Sequence, residues 1–126
     1  MAQPLTGQAQ LSVSLWVEDL LRHKGVKVRR NYRFHPTRKF EFDIAILEWK
    51  IGIEVDGFGG GHQLPKGFIR DREKDLEAAI IGWRVLRLST AQVRDGSAFD
   101  YLDRIFGAVS PTVQTPPWFD PPKMES

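Results

Sequence analysis

Apolar and polar residues alternate along two neighbouring stretches, Phe40 to Leu47 and Trp49 to Val55. A period of two predicts β-strands, here joined by a tight turn near Glu48. In the second stretch Ile51, Ile53 and Val55 share one face, while Gly52, Glu54 and Asp56 share the other. Residues 26 to 34 predict a strand ahead of this pair, and Trp83 to Leu88 a fourth. Helical spacing predicts a first helix from Leu11 to Lys24, stopped by Gly25. A second helix runs through Ile69, Leu76, Ala79 and Ile80 and ends at Gly82. A third carries Phe99, Leu102, Ile105 and Phe106, with Ser97 as its N-cap. The predicted order is α-β-β-β-α-β-α.

Around this core, residues 1 to 9 are polar and read as a flexible N-terminus, and residues 10 to 109 as one domain. Residues 110 to 126 are proline-rich and read as an extended tail, in which Trp118 and Phe119 could pin it to the body or to a partner. The 126 residues suffice for one compact domain, and 41% hydrophobic with 27% charged residues is a globular composition. With no cysteine, disulfides and thiolate metal sites are excluded. No apolar run has membrane-spanning length and the start lacks a signal-peptide pattern, so the expectation is a cytoplasmic protein with no membrane partner.

The net charge of +2 is small, but its distribution is uneven. Residues 22 to 39 hold eight lysines and arginines, Arg29, Arg30, Arg33 and Lys39 among them, and no acid. Aromatics and histidines are interleaved there, which fits either a polyanion-binding strip or a solvated basic face.

Immediately after the strip come Asp43, Glu54 and Asp56. Two acids side by side on a strand repel, and a divalent cation would make the placement favourable. Hard carboxylate oxygens suit Mg²⁺, with Mn²⁺ as the substitute. Such an ion polarises a phosphoryl oxygen and acidifies a bound water. Glu18 interrupts the apolar stripe of the first helix between Leu15 and Leu21, so it needs a partner, either at the metal site or in Arg22. His62 follows the glycine-rich segment Gly57-Phe58-Gly59-Gly60-Gly61 and is a candidate general acid or base. That segment lacks the lysine and hydroxyl spacing of a P-loop. Arg70 and Arg72 are candidate phosphate contacts, whereas Lys74, among Glu73, Asp75 and Glu77, reads as pairing within its own helix. Trp16, Trp49 and Trp83 read as core or sheet-surface residues.

The segments Phe-Asp-Ile-Ala-Ile-Leu, Gly-Ile-Glu-Val-Asp-Gly and the run from Asp71 to Leu88, in that order, resemble the PD-(D/E)xK nuclease superfamily and within it the Vsr-like group of small endonucleases. The resemblance covers roughly residues 11 to 109. It implies a restriction-endonuclease-like αβββαβ core, with a mixed central sheet flanked by helices, and a Mg²⁺-dependent endodeoxyribonuclease of DNA repair or recombination. It also implies that Asp43 and Glu54 bind the metal and that Glu18 sits near it. In the superfamily a lysine usually stands two positions after the Glu; here that residue is Asp56, which could bind or support an ion but cannot stabilise negative charge. Glu-x-Asp does occur in the Vsr-like group. The implied partner is DNA, branched or otherwise distorted. One alternative is a Holliday junction resolvase acting as a homodimer; another, of a different class, is a catalytically inactive nucleic-acid-binding module with a nuclease fold.

Overall fold

The computed structural model describes residues 6–57 and 65–109. Seven of its eight elements match the predicted order: α1 (Thr6–Leu21), β1 (Val28–Arg33), β2 (Glu41–Ile46), β3 (Ile51–Asp56), α2 (Pro65–Ile80), β4 (Arg84–Ser89) and α4 (Ser97–Ala108). The eighth, α3 (Thr90–Asp95), lies between β4 and α4. The result is a mixed α/β architecture: one four-stranded sheet of order β1-β2-β3-β4 with helices packed on it. β1, β2 and β3 are antiparallel neighbours, and β4 runs parallel to β3. Among the described residues no helix is long and apolar enough to cross a membrane.

Two apolar clusters cover the two faces of the sheet. On one, Ile44, Ile46, Ile51, Ile53, Val55 and Leu88 meet Val13, Val17 and Leu21 of α1 and Leu102 and Phe106 of α4. Trp16 and Trp49 pack at its margin. On the other, Phe34, Phe40, Phe42, Ala45 and Trp83 meet Ala78 of α2. The rings of Phe34 and Phe42 stack with centroids 4.1 Å apart, and Trp83 tilts against Phe42 at 5.1 Å. Gly52 lies directly beneath this stack: a Cβ there would stand 2.5 Å from the Phe42 ring. The missing side chain is what lets the aromatic layer rest on β3.

Three helices differ from the pattern, beyond shifts of one or two residues at the strand ends. α1 starts at Thr6 rather than Leu11, so residues 6 to 9 are helical and Ala9 is buried. Polar and small residues at that end hid a helix held by tertiary packing. α3 starts from a capping box, in which Ser89 accepts from the Gln92 backbone N–H and the Gln92 side chain accepts from the Ser89 N–H. α4 is preceded by Gly96 in the left-handed region (φ 89°) rather than capped by the Ser97 hydroxyl.

Alternation also fails at one point in β2. Ile44 and Ile46 join the α1-side cluster and Ala45 the α2-side cluster, as a strand requires, yet Phe42 joins Ala45's side instead of Ile44's. Opposite this inversion, Asn31 of β1 takes a left-handed conformation (φ 50°), and the β1–β2 pairing skips from Arg30↔Ile44 to Tyr32↔Phe42. The residue at the inversion is Asp43.

Candidate active site

β2 and β3 pair from Ile46↔Ile51 to Ile44↔Ile53 and then separate. Asp43 is the first residue past the split. Its Oδ2 accepts the Val55 backbone N–H at 2.8 Å, so a side chain takes over where the main-chain ladder stops. The Gln10 side chain, from α1, lines the same cleft as this carboxylate and helps to hold its pKa down. Gln10, Leu11, Ser14, Arg30, Asn31 and Asp43 line an open cleft of about 230 Å³. Asp43 is therefore reached from the α1 side of the sheet.

Glu54 sits one strand over and is buried, with 7% of its side chain exposed. It belongs to the Gly52 face, toward α2. There the Lys74 ammonium forms an ion pair with Glu54 Oε2. Apart from Lys74, this oxygen has no hydrogen-bond partner among the described residues. Burial pushes the Glu54 carboxyl up to about 7; Lys74 pulls against that, and the neighbouring Asp43 carboxylate adds to it. Asp43 is also raised, chiefly by burial, with the Val55 N–H and Lys74 opposing. Both carboxyls are held above their ordinary range chiefly by desolvation, with the Asp43 charge adding to Glu54 and the Asp56 charge adding to Asp43.

Lys74 corrects a sequence expectation. It does not pair along α2 but reaches across to β3, with 15% of its side chain exposed and its Nζ 5.8 Å from the centre of the Phe42 ring. The acids around it in sequence take other partners. Glu73 accepts from Arg38 at 3.0 Å, Glu77 meets His35 at 2.9 Å, and Asp75 accepts from Arg87 at 2.6 Å.

Asp56 and Glu18 each pair with an arginine, and the Asp56 charge also raises the Asp43 carboxyl. Asp56 accepts from Arg87 at 3.1 Å and is half-exposed, at the end of β3. Arg87 thus ties Asp56 of β3 to Asp75 of α2 and fixes the helix that carries Lys74. Glu18 pairs with neither a site carboxylate nor Arg22; it accepts from Arg30 of β1 at 3.3 Å, while Arg22 pairs with Asp19. The α1 residue that reaches Asp43 is Gln10, two turns nearer the N-terminus. His62 lies outside the described residues, as do Phe58 to Gly61 and the tail with Trp118 and Phe119.

The basic residues are exposed, and Arg30 shares the cleft with Asp43. Arg29, Arg30, Arg33 and Lys39 are all exposed on β1 and the loop after it. Arg70 stacks over Phe40 at 4.9 Å, and Arg72 over Phe68 at 4.2 Å. The loop itself is anchored by His35. Its Nδ1 accepts the backbone N–H groups of Thr37 and Arg38, which places the ring proton on Nε2, facing Glu77.

The donor set can be matched to an ion. Among the described residues no three His, Cys, Asp or Glu side chains gather as a group that could hold a metal ion. Asp43 and Glu54 carry hard carboxylate oxygens, the donor type that Mg²⁺ takes, through one or two carboxylates and several waters. Comparison with protein-family models, with curated proteins and with solved structures returned no match for this chain.

Proposed function

We propose that this protein is a Mg²⁺-dependent endodeoxyribonuclease with a restriction-endonuclease-like core of the PD-(D/E)xK type, nearest to the Vsr-like group. The observation that carries the reading is the meeting of Asp43, Glu54 and Lys74 at the β2–β3 split. This trio supplies two carboxylates and one ammonium from three elements. The αβββαβ order, with β4 parallel to β3, supports the same reading.

Asp43 and Glu54 would hold Mg²⁺, or Mn²⁺ in its place, and the ion would supply phosphoryl polarisation and an acidified water. Asp43 is preoriented for this by the Val55 backbone N–H. Lys74 takes the part that Asp56 cannot play. Its ammonium comes from α2 to the same carboxylate, where it can orient the attacking water and steady the negative charge that develops on the phosphate. Asp56 acts through Arg87, as a strut for α2. His62 is assigned the proton transfer to the leaving oxygen. Glu18 holds Arg30 at the cleft wall. Arg29, Arg30, Arg33, Lys39, Arg70 and Arg72 contact the DNA backbone, which gives affinity without sequence choice.

The test is cleavage of linear, nicked, mismatched and four-way DNA with Mg²⁺ or Mn²⁺. Cleavage that is lost in Asp43→Ala and Glu54→Ala, with DNA binding retained, supports the reading. No cleavage of any substrate by the parent protein leaves the inactive binding module.

A further inference from the structure

Among the described residues, two that are not glycine take a left-handed backbone conformation, Lys50 (φ 52°) and Asn31 (φ 50°). Lys50 closes the tight turn between β2 and β3, where its N–H bonds back to the Leu47 carbonyl and the conformation serves the turn. Asn31 has no turn to make. It lies inside β1, between Arg30 and Tyr32, which both still pair with β2. Strain of this kind persists only where the surrounding structure imposes it, and it gathers at functional sites.

The register shows what the strained residue accomplishes. Arg30 pairs with Ile44 and Tyr32 with Phe42, so Asn31 is the residue opposite Asp43. Both strands turn over at this one pair. Arg30 and Ile44 face α1, through Glu18 and the α1-side cluster, whereas Tyr32 and Phe42 pack in the α2-side cluster. Asn31 and Asp43 come together at the cleft that they line with Gln10, Ser14 and Arg30. The other polar groups there are engaged within the chain. Ser14 Oγ donates to the Leu11 carbonyl at 3.1 Å, Arg30 holds Glu18, and Gln10 acts on Asp43. The exposed Asn31 side chain makes no hydrogen bond among the described residues. Glycine would meet the backbone requirement with less strain, so what asparagine adds is an unoccupied carboxamide beside Asp43.

We propose that this carboxamide is a substrate contact, its NH₂ group donating to a non-bridging oxygen of the DNA phosphate that enters the cleft at Asp43. The ligand's identity rests on the nuclease reading. The amide offers two N–H donors and no charge, so it meets a phosphate oxygen while Asp43 stays available for a cation.

Asn31→Gly separates this role from a structural one, because glycine keeps the left-handed backbone and removes only the carboxamide. Its thermal melting should stay near the parent's, since relief of strain offsets the freer unfolded chain. Its affinity for labelled four-way DNA, whose arms are also duplex, should fall about tenfold, read by fluorescence anisotropy without divalent metal. Asn31→Asp keeps the shape and tolerates the same backbone but sets a negative charge against the phosphate, and should weaken binding about 10²-fold. Variants that bind as tightly as the parent overturn the proposal, while cleavage by the parent with Mg²⁺ or Mn²⁺ leaves the nuclease reading standing. A marked loss of stability in Asn31→Gly overturns it too, since the carboxamide is then holding the strand. The predicted ranking of affinities, in a parent that cuts nothing, supports the contact and defeats the nuclease reading alone. A parent that binds no DNA overturns both.

Discussion

The ammonium of Lys74 on α2, half-buried, rests against the buried carboxylate of Glu54 on β3. Through this pair the helix after the glycine-rich segment supplies a cation at the strand position where the Glu-x-Asp motif lacks one. If the ammonium orients water and meets developing charge, Lys74→Met should cut the single-turnover cleavage rate about 10²–10³-fold, the cost of losing one preorganised donor. Folding and DNA binding should remain close to the parent's. Arg should rescue only partly, because its broad fork does not reproduce a compact ammonium.

Glu54 gives the metal-free protein a pH signature. Its folded pKa, near 7, lies above the ordinary 4.5, so between those values the folded state holds more protons than the unfolded one. This group's contribution to stability is then fully present below about 4.5 and is lost as pH rises through about 7. The loss is on the order of 3 kcal/mol. Urea titrations from pH 4.5 to 8 should show it, and Glu54→Gln should flatten that slope. A cation binds the ionised carboxylate, so Mn²⁺ affinity, read by electron paramagnetic resonance, should rise with pH over the same window.

Gly52 is the space under the Phe42 ring. Gly52→Ala places a methyl group 2.5 Å from a ring already held by Phe34 and Trp83. Overpacking of this kind costs about 1–3 kcal/mol, which chemical denaturation would measure. Because the same ring flanks Lys74, the variant should also lose cleavage activity beyond its loss of stability.

The exposed basic charges act on affinity. Arg33→Ala and Lys39→Ala should each weaken binding to all DNA sequences alike. Each should lower the slope of log affinity against log salt by about 0.9. A variant that changed sequence preference instead would place that side chain at a base edge.

Much of this arrangement was legible in the residues. The alternation of Ile51 to Asp56 put Glu54 on the polar face, and the order of elements followed from periodicity and from Gly25 and Gly82. The inversion at Asp43 was not legible: strand alternation is a local rule, and the β2–β3 split with Asn31 opposite it overrides that rule. Lys74 was hidden by its neighbours, since Glu73, Asp75 and Glu77 read as its partners until Arg38, Arg87 and His35 engage them. Gln10 was missed because an amide among polar residues carries no pattern, and Glu18 drew attention in its place. The Ser89 capping box was available as a signal for α3, and six residues gave too little periodicity to show it.

The central claim is that Asp43, Glu54 and Lys74 form one hydrolytic centre. Its most direct test is the metal-dependent cleavage of a labelled DNA panel by the parent protein and by Asp43→Ala, Glu54→Ala and Lys74→Met. Cleavage by the parent with Mg²⁺ or Mn²⁺, abolished by the first two changes and reduced about 10²–10³-fold by the third, is the predicted result. Cleavage that survives loss of either carboxylate, or a parent protein that cuts none of the substrates, would contradict it.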